Sequence, residues 1–332
     1  MFTAALTITP PHPTHMRRVL AGLARGREDP TARAGIGNSR SFWAVARELD
    51  TDVLVRFEQR PPRSATLADR FSSPIDVRLW AESGERTAAA MNSLSARLPD
   101  WVGVHDDWGA FVDGPYGDLP PRLQRAYREN PGIRLPASGQ LWWHTVSSIT
   151  EQRVTSLEAF AAIRRVLRTC GTPVMNTGLA DQPPGMFFPP SPQRLRQMPA
   201  WTWHQAGYDR SRSEAVLRFA AAAPSLQRIA DQGGPGELAR ALNSVAGIGP
   251  WTIAEVLQRT HGHPDAVSVG DYHLAHHVGW AFEGRRADDQ RMLELLAPFA
   301  GHRNRVIALI RAAGAGAPRR GAKYAPQDHR WH

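Results

Sequence analysis

Lysine is almost missing from this 332-residue chain. Of 40 basic residues 39 are arginine, and Lys323, near the C-terminus, is the only lysine. Almost no amine is therefore available for Schiff-base chemistry. Cysteine is as scarce. One thiol, Cys170, can form no intrachain disulfide, hold no iron–sulfur cluster and build no cysteine-based zinc site. It follows the helical run "RRVLRT" and reads as packing filler. No run of about eighteen apolar residues occurs, which argues against a membrane span. The opening "MFTAALTITPPHPTH" lacks the basic start and long apolar stretch of a signal peptide, so a cytoplasmic location is expected.

What is present is an ordinary globular composition, 42% hydrophobic and 21% charged, in a chain long enough for two or three domains. The net charge of +9 favours a polyanionic partner, because each cation placed on a phosphate releases condensed counterions.

Residues 1–117 read as mixed α and β. In "TDVLVRFEQ", Val53, Val55 and Phe57 alternate with Arg56 and Glu58, the period of a half-buried strand. "SFWAVARE" makes its hairpin partner across "LDTD", and "PIDVRLWAE" repeats the alternation through Ile75, Val77 and Leu79. Ala88, Met91, Leu94 and Leu98 then recur at helical spacing up to Pro99. A small antiparallel sheet with a covering helix is the expected result. After the Pro/Gly-rich boundary "VDGPYGDLPP" the pattern turns helical. Thr155 with Glu158, and Ser211 with Glu214, read as capping boxes opening two helices. Leu157, Phe160, Ile163, Val166 and Leu167 form the apolar stripe of the first. The proline-rich "DQPPGMFFPPSPQ" separates the two. The expected class is α+β: an N-terminal domain over 1–117, an all-α core over 118–318, and a basic, mobile tail over 319–332.

Within the core, "ELARALNSVAGIGPWTIAEVLQRT" (residues 237–260) is helix, glycine hairpin and helix with almost no spacer. Gly247 and Gly249 permit positive φ and close approach, and Pro250 suits a first helical turn. The N–H groups freed there can hold an anion. "GIG" is no nucleotide-binding glycine loop, since neither G-x-G-x-x-G nor a following Gly-Lys-Ser/Thr is present. A backbone phosphate of DNA is the better candidate. At about 100° per residue, Ile253, Val256 and Leu257 cluster on one side of the second helix and Trp251, Glu255 and Gln258 on the other. A tryptophan there lines a cleft or lies buried beneath another domain. Twenty residues on, in "DAVSVGDYHLAHH" (265–277), Asp271 follows an apolar run and precedes a helix. It reads either as an N-cap worth about 1 kcal/mol or as a carboxylate aimed into the cleft, with Tyr272 beside it. His273 and His277 have zinc-like i, i+4 spacing, but no third ligand follows at convincing spacing.

The combination L-x-x-V-x-G-I-G-P-W-T followed by V-x-V-G-D-Y resembles the signature of the helix-hairpin-helix DNA glycosylases that end in a Gly/Pro-rich loop and an aspartate. The branch it resembles most is the bacterial 3-methyladenine DNA glycosylase II type. The similarity spans roughly 140–315, and the family's α+β N-terminal region is matched in character only. The resemblance implies a monofunctional DNA glycosylase that flips out alkylated purines of the 3-methyladenine and 7-methylguanine type and leaves an abasic site. Asp271, in the loop 265–272, matches the catalytic aspartate. Trp251, Tyr272 and Glu255 would border the base pocket. Gly247, Ile248, Gly249, Pro250 and Thr252 match the phosphate grip, where carbonyls of Asn243, Val245 and Ile248 could hold a monovalent cation. Gln152 and Arg153 match the loop whose side chain wedges into the duplex, with arginine in place of an apolar residue. Trp251 stands where strand-cutting relatives carry lysine. No other cofactor is implied. The expected partner is double-stranded DNA carrying damaged bases, bound by a nucleoid-associated monomer. Excision of another damaged or deaminated base, or damage binding without catalysis, are the alternatives.

Overall fold

The computed structural model describes residues 1–60, 66, 69 and 71–318; the expected tail, 319–332, and Lys323 within it lie outside these. The N-terminal part is a five-stranded antiparallel sheet. Its strands are β1 (Phe2–Ile8), β2 (Ala32–Ala34), β3 (Ser41–Glu48), β4 (Thr51–Gln59) and β5 (Ile75–Ala81), in the order β1-β5-β4-β3-β2. The β3–β4 hairpin pairs Glu48 with Thr51, so Leu49 and Asp50 form a two-residue turn, both at positive φ. The strand β1, which pairs Phe2–Ile8 with Ala81–Ile75, carries no clear alternating signal in "FTAALTI".

Phe57, Ile75, Val77 and Leu79 pack with Met16 and Leu20 of α1 (Met16–Ala21) and with Met91, Leu94 and Leu98 of α2 (Thr87–Trp101). Pro99 sits within the last turn of α2 rather than ending it, and Ala88 faces solvent while Ala90 is buried. The half-buried sheet expected from the alternation is buried on its second face as well. Trp43, Leu54 and Trp80 there meet Met186 and Phe188 from the proline-rich segment. Asp181 of that segment accepts hydrogen bonds from Ser39, Ser41 and Arg56, which fastens the cover to the sheet.

The helices that follow are α3 (Gly109–Asp113), α4 (Pro121–Glu129), α5 (Leu141–Thr150), α6 (Ser156–Cys170), α7 (Pro192–Arg196), α8 (Ala200–Gln205) and α9 (Arg210–Gln232). They continue as α10 (Pro235–Asn243), α11 (Pro250–Thr260), α12 (Leu274–Glu283), α13 (Asp289–Leu296) and α14 (Arg303–Ala312). The capping box at Thr155 and Glu158 opens α6, but Leu157 of its expected stripe is 64% exposed. The Ser211–Glu214 box is not formed. Asp209 caps α9 by accepting from the Arg212 N–H, and Glu214 is taken by Arg210 and Arg218. An aspartate in extended backbone two residues earlier wins that competition. Cores of α5, α6, α9, α10 and α11 on one side, and of α12–α14 with Trp108, Phe111 and Leu123 on the other, flank the segment that carries Asp271. No helix among the described residues is long and apolar enough to cross a membrane.

Candidate active site and nucleic-acid interface

Between α10 and α11 the chain turns at Gly247, which has φ +98° and a Cβ position 2.6 Å from the Ala215 Cβ of α9. Only glycine fits there. The companion expectation for Gly249 is corrected: its backbone is extended (φ −107°, ψ −178°), and a Cβ would meet open space. Gly249 caps α11 with no side chain over the helix end, and Pro250 occupies the first turn. The N–H groups of this turn are thus left to an external acceptor. Val245 and Ile248 are buried and anchor the hairpin, while Asn243, Ala246, Gly247 and Pro250 are exposed. Gln152 spans to it from the end of α5, its amide donating to the Gly247 carbonyl at 2.9 Å and to the Thr252 hydroxyl at 2.8 Å. Next to it, Arg153 is exposed and held at φ +55°, a costly conformation for a side chain of this size, and donates to Ser211 at 2.8 Å.

The loop carrying Asp271 is fixed at several points. Asp265 accepts from the Gly301 and Arg303 N–H groups and pairs with the Arg303 guanidinium. Gln258 donates to the Ala266 carbonyl at 3.0 Å and the Ser268 hydroxyl at 3.1 Å. Gly270 turns at φ +87°. Asp271 then turns one oxygen toward the start of α12 and the other toward Trp251. Its Oδ1 accepts from the His273 and Leu274 N–H groups at 2.9 and 2.8 Å, capping α12. Its Oδ2 lies 3.4 Å from the Trp251 indole nitrogen. One oxygen orients the group and the other faces the partly buried tryptophan.

The remaining residues expected at the pocket lie differently. Tyr272 is 77% exposed, its ring edge-on to His273 at 4.8 Å and His276 at 6.4 Å. Glu255 is only 7% exposed and spent on other partners. It accepts from the Ser268 hydroxyl at 2.6 Å, pairs with Arg259 at 2.7 Å and lies 3.8 Å from Arg25. The polar side of α11 is therefore buried against the Asp271 loop and the N-terminal domain. Burial alone would raise the pKa of Glu255, but Arg259 and Arg25, helped by Ser268 and Arg311, hold it down at about 2. His273 and His277 stack at 5.9 Å, and the His277 Nδ1 accepts from the Ala317 N–H.

Behind Trp251 lies a cluster that nothing in the sequence announced. Arg25 meets Glu151 at 3.4 Å and Ser148 at 2.9 Å, beside Glu255 and Arg259. His144 is buried there, and desolvation together with Arg25 and Arg259 pushes its pKa well below 6.5. Arg311, at the end of α14, has its pKa lowered chiefly by desolvation, against the opposing charges of Glu255 and Asp271.

Linkage fixes a sign for Glu255. Its folded pKa lies below the unfolded value near 4.5, so the stability it contributes is present above 4.5 and is lost as pH falls toward 2. Thermal melts from pH 6 to 2.5 should show that loss, and Glu255→Gln should flatten it while lowering stability at neutral pH. Parallel acid limbs in the two proteins would refute the assignment.

No family model matches this chain, and no curated protein sequence does. Solved structures do match its fold. A 3-methyladenine DNA-glycosylase from Archaeoglobus fulgidus superposes with a TM-score of 0.71 at 15% identity, covering 93% of this chain and 98% of that one. MBOgg1 in complex with a low affinity DNA ligand gives 0.63 at 15% identity, over 93% and 95%. An 8-oxoguanine glycosylase/lyase from Clostridium acetobutylicum gives 0.62 at 11%, over 93% and 96%. The chain shares its fold with these solved structures.

Proposed function

We propose that this protein is a monofunctional DNA N-glycosylase. The observation that carries the reading is Asp271, one oxygen fixed by two N–H groups and the other 3.4 Å from Trp251, beside a hairpin whose first-turn N–H groups await an acceptor. The fold it shares with a 3-methyladenine DNA-glycosylase and an 8-oxoguanine glycosylase/lyase supports the same reading. The hairpin around Gly247–Thr252 grips a backbone phosphate. The carbonyls of Asn243, Val245 and Ile248 in that turn are hard oxygen donors suited to a monovalent cation, which would supply positive charge toward the phosphate. Arg153 enters the duplex where the target nucleotide leaves it, at an unstacking cost of a few kcal/mol, while Gln152 braces the hairpin from the same loop. Asp271 stabilises the oxocarbenium-like sugar and orients or deprotonates the attacking water. With tryptophan at 251, the position that would carry the Schiff-base lysine of a strand-cutting enzyme holds no amine.

The resemblance makes alkylated purines of the 3-methyladenine and 7-methylguanine type the first substrates. Such bases are cationic, leave without a general acid, and are attracted by the face of Trp251 by about 0.5–2 kcal/mol. A second reading, excision of a neutral damaged or deaminated base, is favoured by Glu255. Paired with Arg259 and Arg25, it offers a cationic base no free carboxylate. Duplex oligonucleotides carrying one lesion each distinguish these readings when assayed with and without alkali. Strand breaks only after alkali are expected. Breaks without alkali would refute the monofunctional reading, and abasic product from no lesion would refute glycosylase activity.

A further inference from the structure

The N-terminal domain has no residue in the chemistry proposed above, yet one of its side chains reaches the buried polar face of α11. Arg25 follows α1, and its side chain is 3% exposed. Asp29 shapes the turn behind it, accepting from the Arg25 N–H at 2.5 Å and from the Thr31 N–H and hydroxyl at 2.7 Å. The guanidinium is thereby delivered into the helical core, where it donates to Ser148 and faces Glu151 at 3.4 Å and Glu255 at 3.8 Å.

These two carboxylates belong to the two segments that carry the candidate site residues. Glu151 immediately precedes Gln152 and Arg153, and Gln152 is the residue that grips the hairpin at Gly247 and Thr252. Glu255 stands one turn beyond Trp251 and holds Ser268, three residues before Asp271. A continuous path thus runs from the Asp271 loop through Ser268 and Glu255 to Arg25, and on through Glu151 to the Gln152–Arg153 loop. Burying a guanidinium with its Nε unpartnered is costly, and Glu151 Oε2 is likewise left without a hydrogen bond. A hydrophobic pair would hold the domains together at less cost, whereas a charged link fixes direction.

We propose that Arg25 is a positioning residue that sets the Gln152–Arg153 loop and the Trp251–Asp271 wall at their working separation. The N-terminal domain then contributes to base excision by carrying this residue. The inference rests on the glycosylase reading. It also sets a requirement: excision must depend on the guanidinium itself and not only on the stability it provides.

The test compares Arg25→Met, Arg25→Lys and the double variant Arg25→Met/Glu151→Gln with the wild type, on the lesion duplex the wild type excises. Removing both partners takes away the uncompensated carboxylate and should restore Tm toward wild type even where Arg25→Met alone folds poorly. Single-turnover excision in the double variant should remain at least tenfold down, with affinity for undamaged duplex within threefold. Arg25→Lys, keeping the charge without the fork, should fall between wild type and Arg25→Met. Excision that recovers together with Tm in the double variant would overturn the proposal, as would full activity in Arg25→Met. Neither of those results touches the glycosylase reading, which fails instead if the wild type excises nothing or if Asp271→Asn is fully active.

Discussion

Replacing Asp271 by Asn should lower single-turnover base excision by about 10³-fold, within the range expected when a positioned carboxylate that stabilises charge and activates water is lost. Duplex affinity should stay within a few fold, because asparagine keeps a carbonyl oxygen able to accept from the His273 and Leu274 N–H groups. The cap of α12 survives and the negative charge facing Trp251 does not. Rapid-quench measurement of abasic sites, read after alkali, gives the rate, and fluorescence anisotropy with an abasic-site analogue gives the affinity. If both fell together, the aspartate would be acting as a cap alone. If neither fell, the mechanism would be wrong.

The second large effect is expected at the hairpin. Gly247→Val places a β-branched side chain at φ +98° and drives its Cβ against Ala215 at 2.6 Å. Backbone strain of about 1–3 kcal/mol adds to a comparable overpacking cost. A loss of about 3 kcal/mol in stability should appear in denaturant titrations, with DNA affinity down at least tenfold as the turn opens. Gly249→Ala is the control from the same motif. Its Cβ meets no atom within 4 Å and its φ is an ordinary one, so the loss should stay within about 1 kcal/mol, the N-cap preference for glycine over alanine. Equal destabilisation by the two substitutions would contradict the turn geometry.

Much of this architecture was legible in the chain because it depends on neighbours in sequence. The β3–β4 hairpin follows from alternation on both sides of Leu49–Asp50, and the start of α6 from the reciprocal bonds of Thr155 and Glu158. Trp251 and Asp271 could be paired because a short helix and a short loop join them, and a chain that short has few ways to separate its ends. Legibility failed where local signals competed or where distance intervened. Ser211 and Glu214 fit a capping box, yet Asp209, two residues earlier, takes the cap. Leu157 fits an apolar stripe, yet it lies on the first turn of α6, beyond the edge of the core. The strand β1 shows no clear alternation and is held in place by its partner β5.

The residues between them settled three things: that a glycine hairpin stands ahead of a carboxylate at fixed spacing, that tryptophan and not lysine follows the hairpin, and that a small sheet precedes a helical core. Each rests on backbone sterics, residue chemistry or a short-range period. Which way Glu255 faces, what neutralises it, and why Arg25 lies against both Glu151 and Glu255 were decided by the tertiary structure alone. A helical wheel separates faces but cannot say what covers them. The polar face of α11 could have looked onto solvent, a ligand or another domain. Only the packing of Arg25, Glu151 and Ser268 around it gives the answer, because a buried charge is stable only where its partners are brought to it.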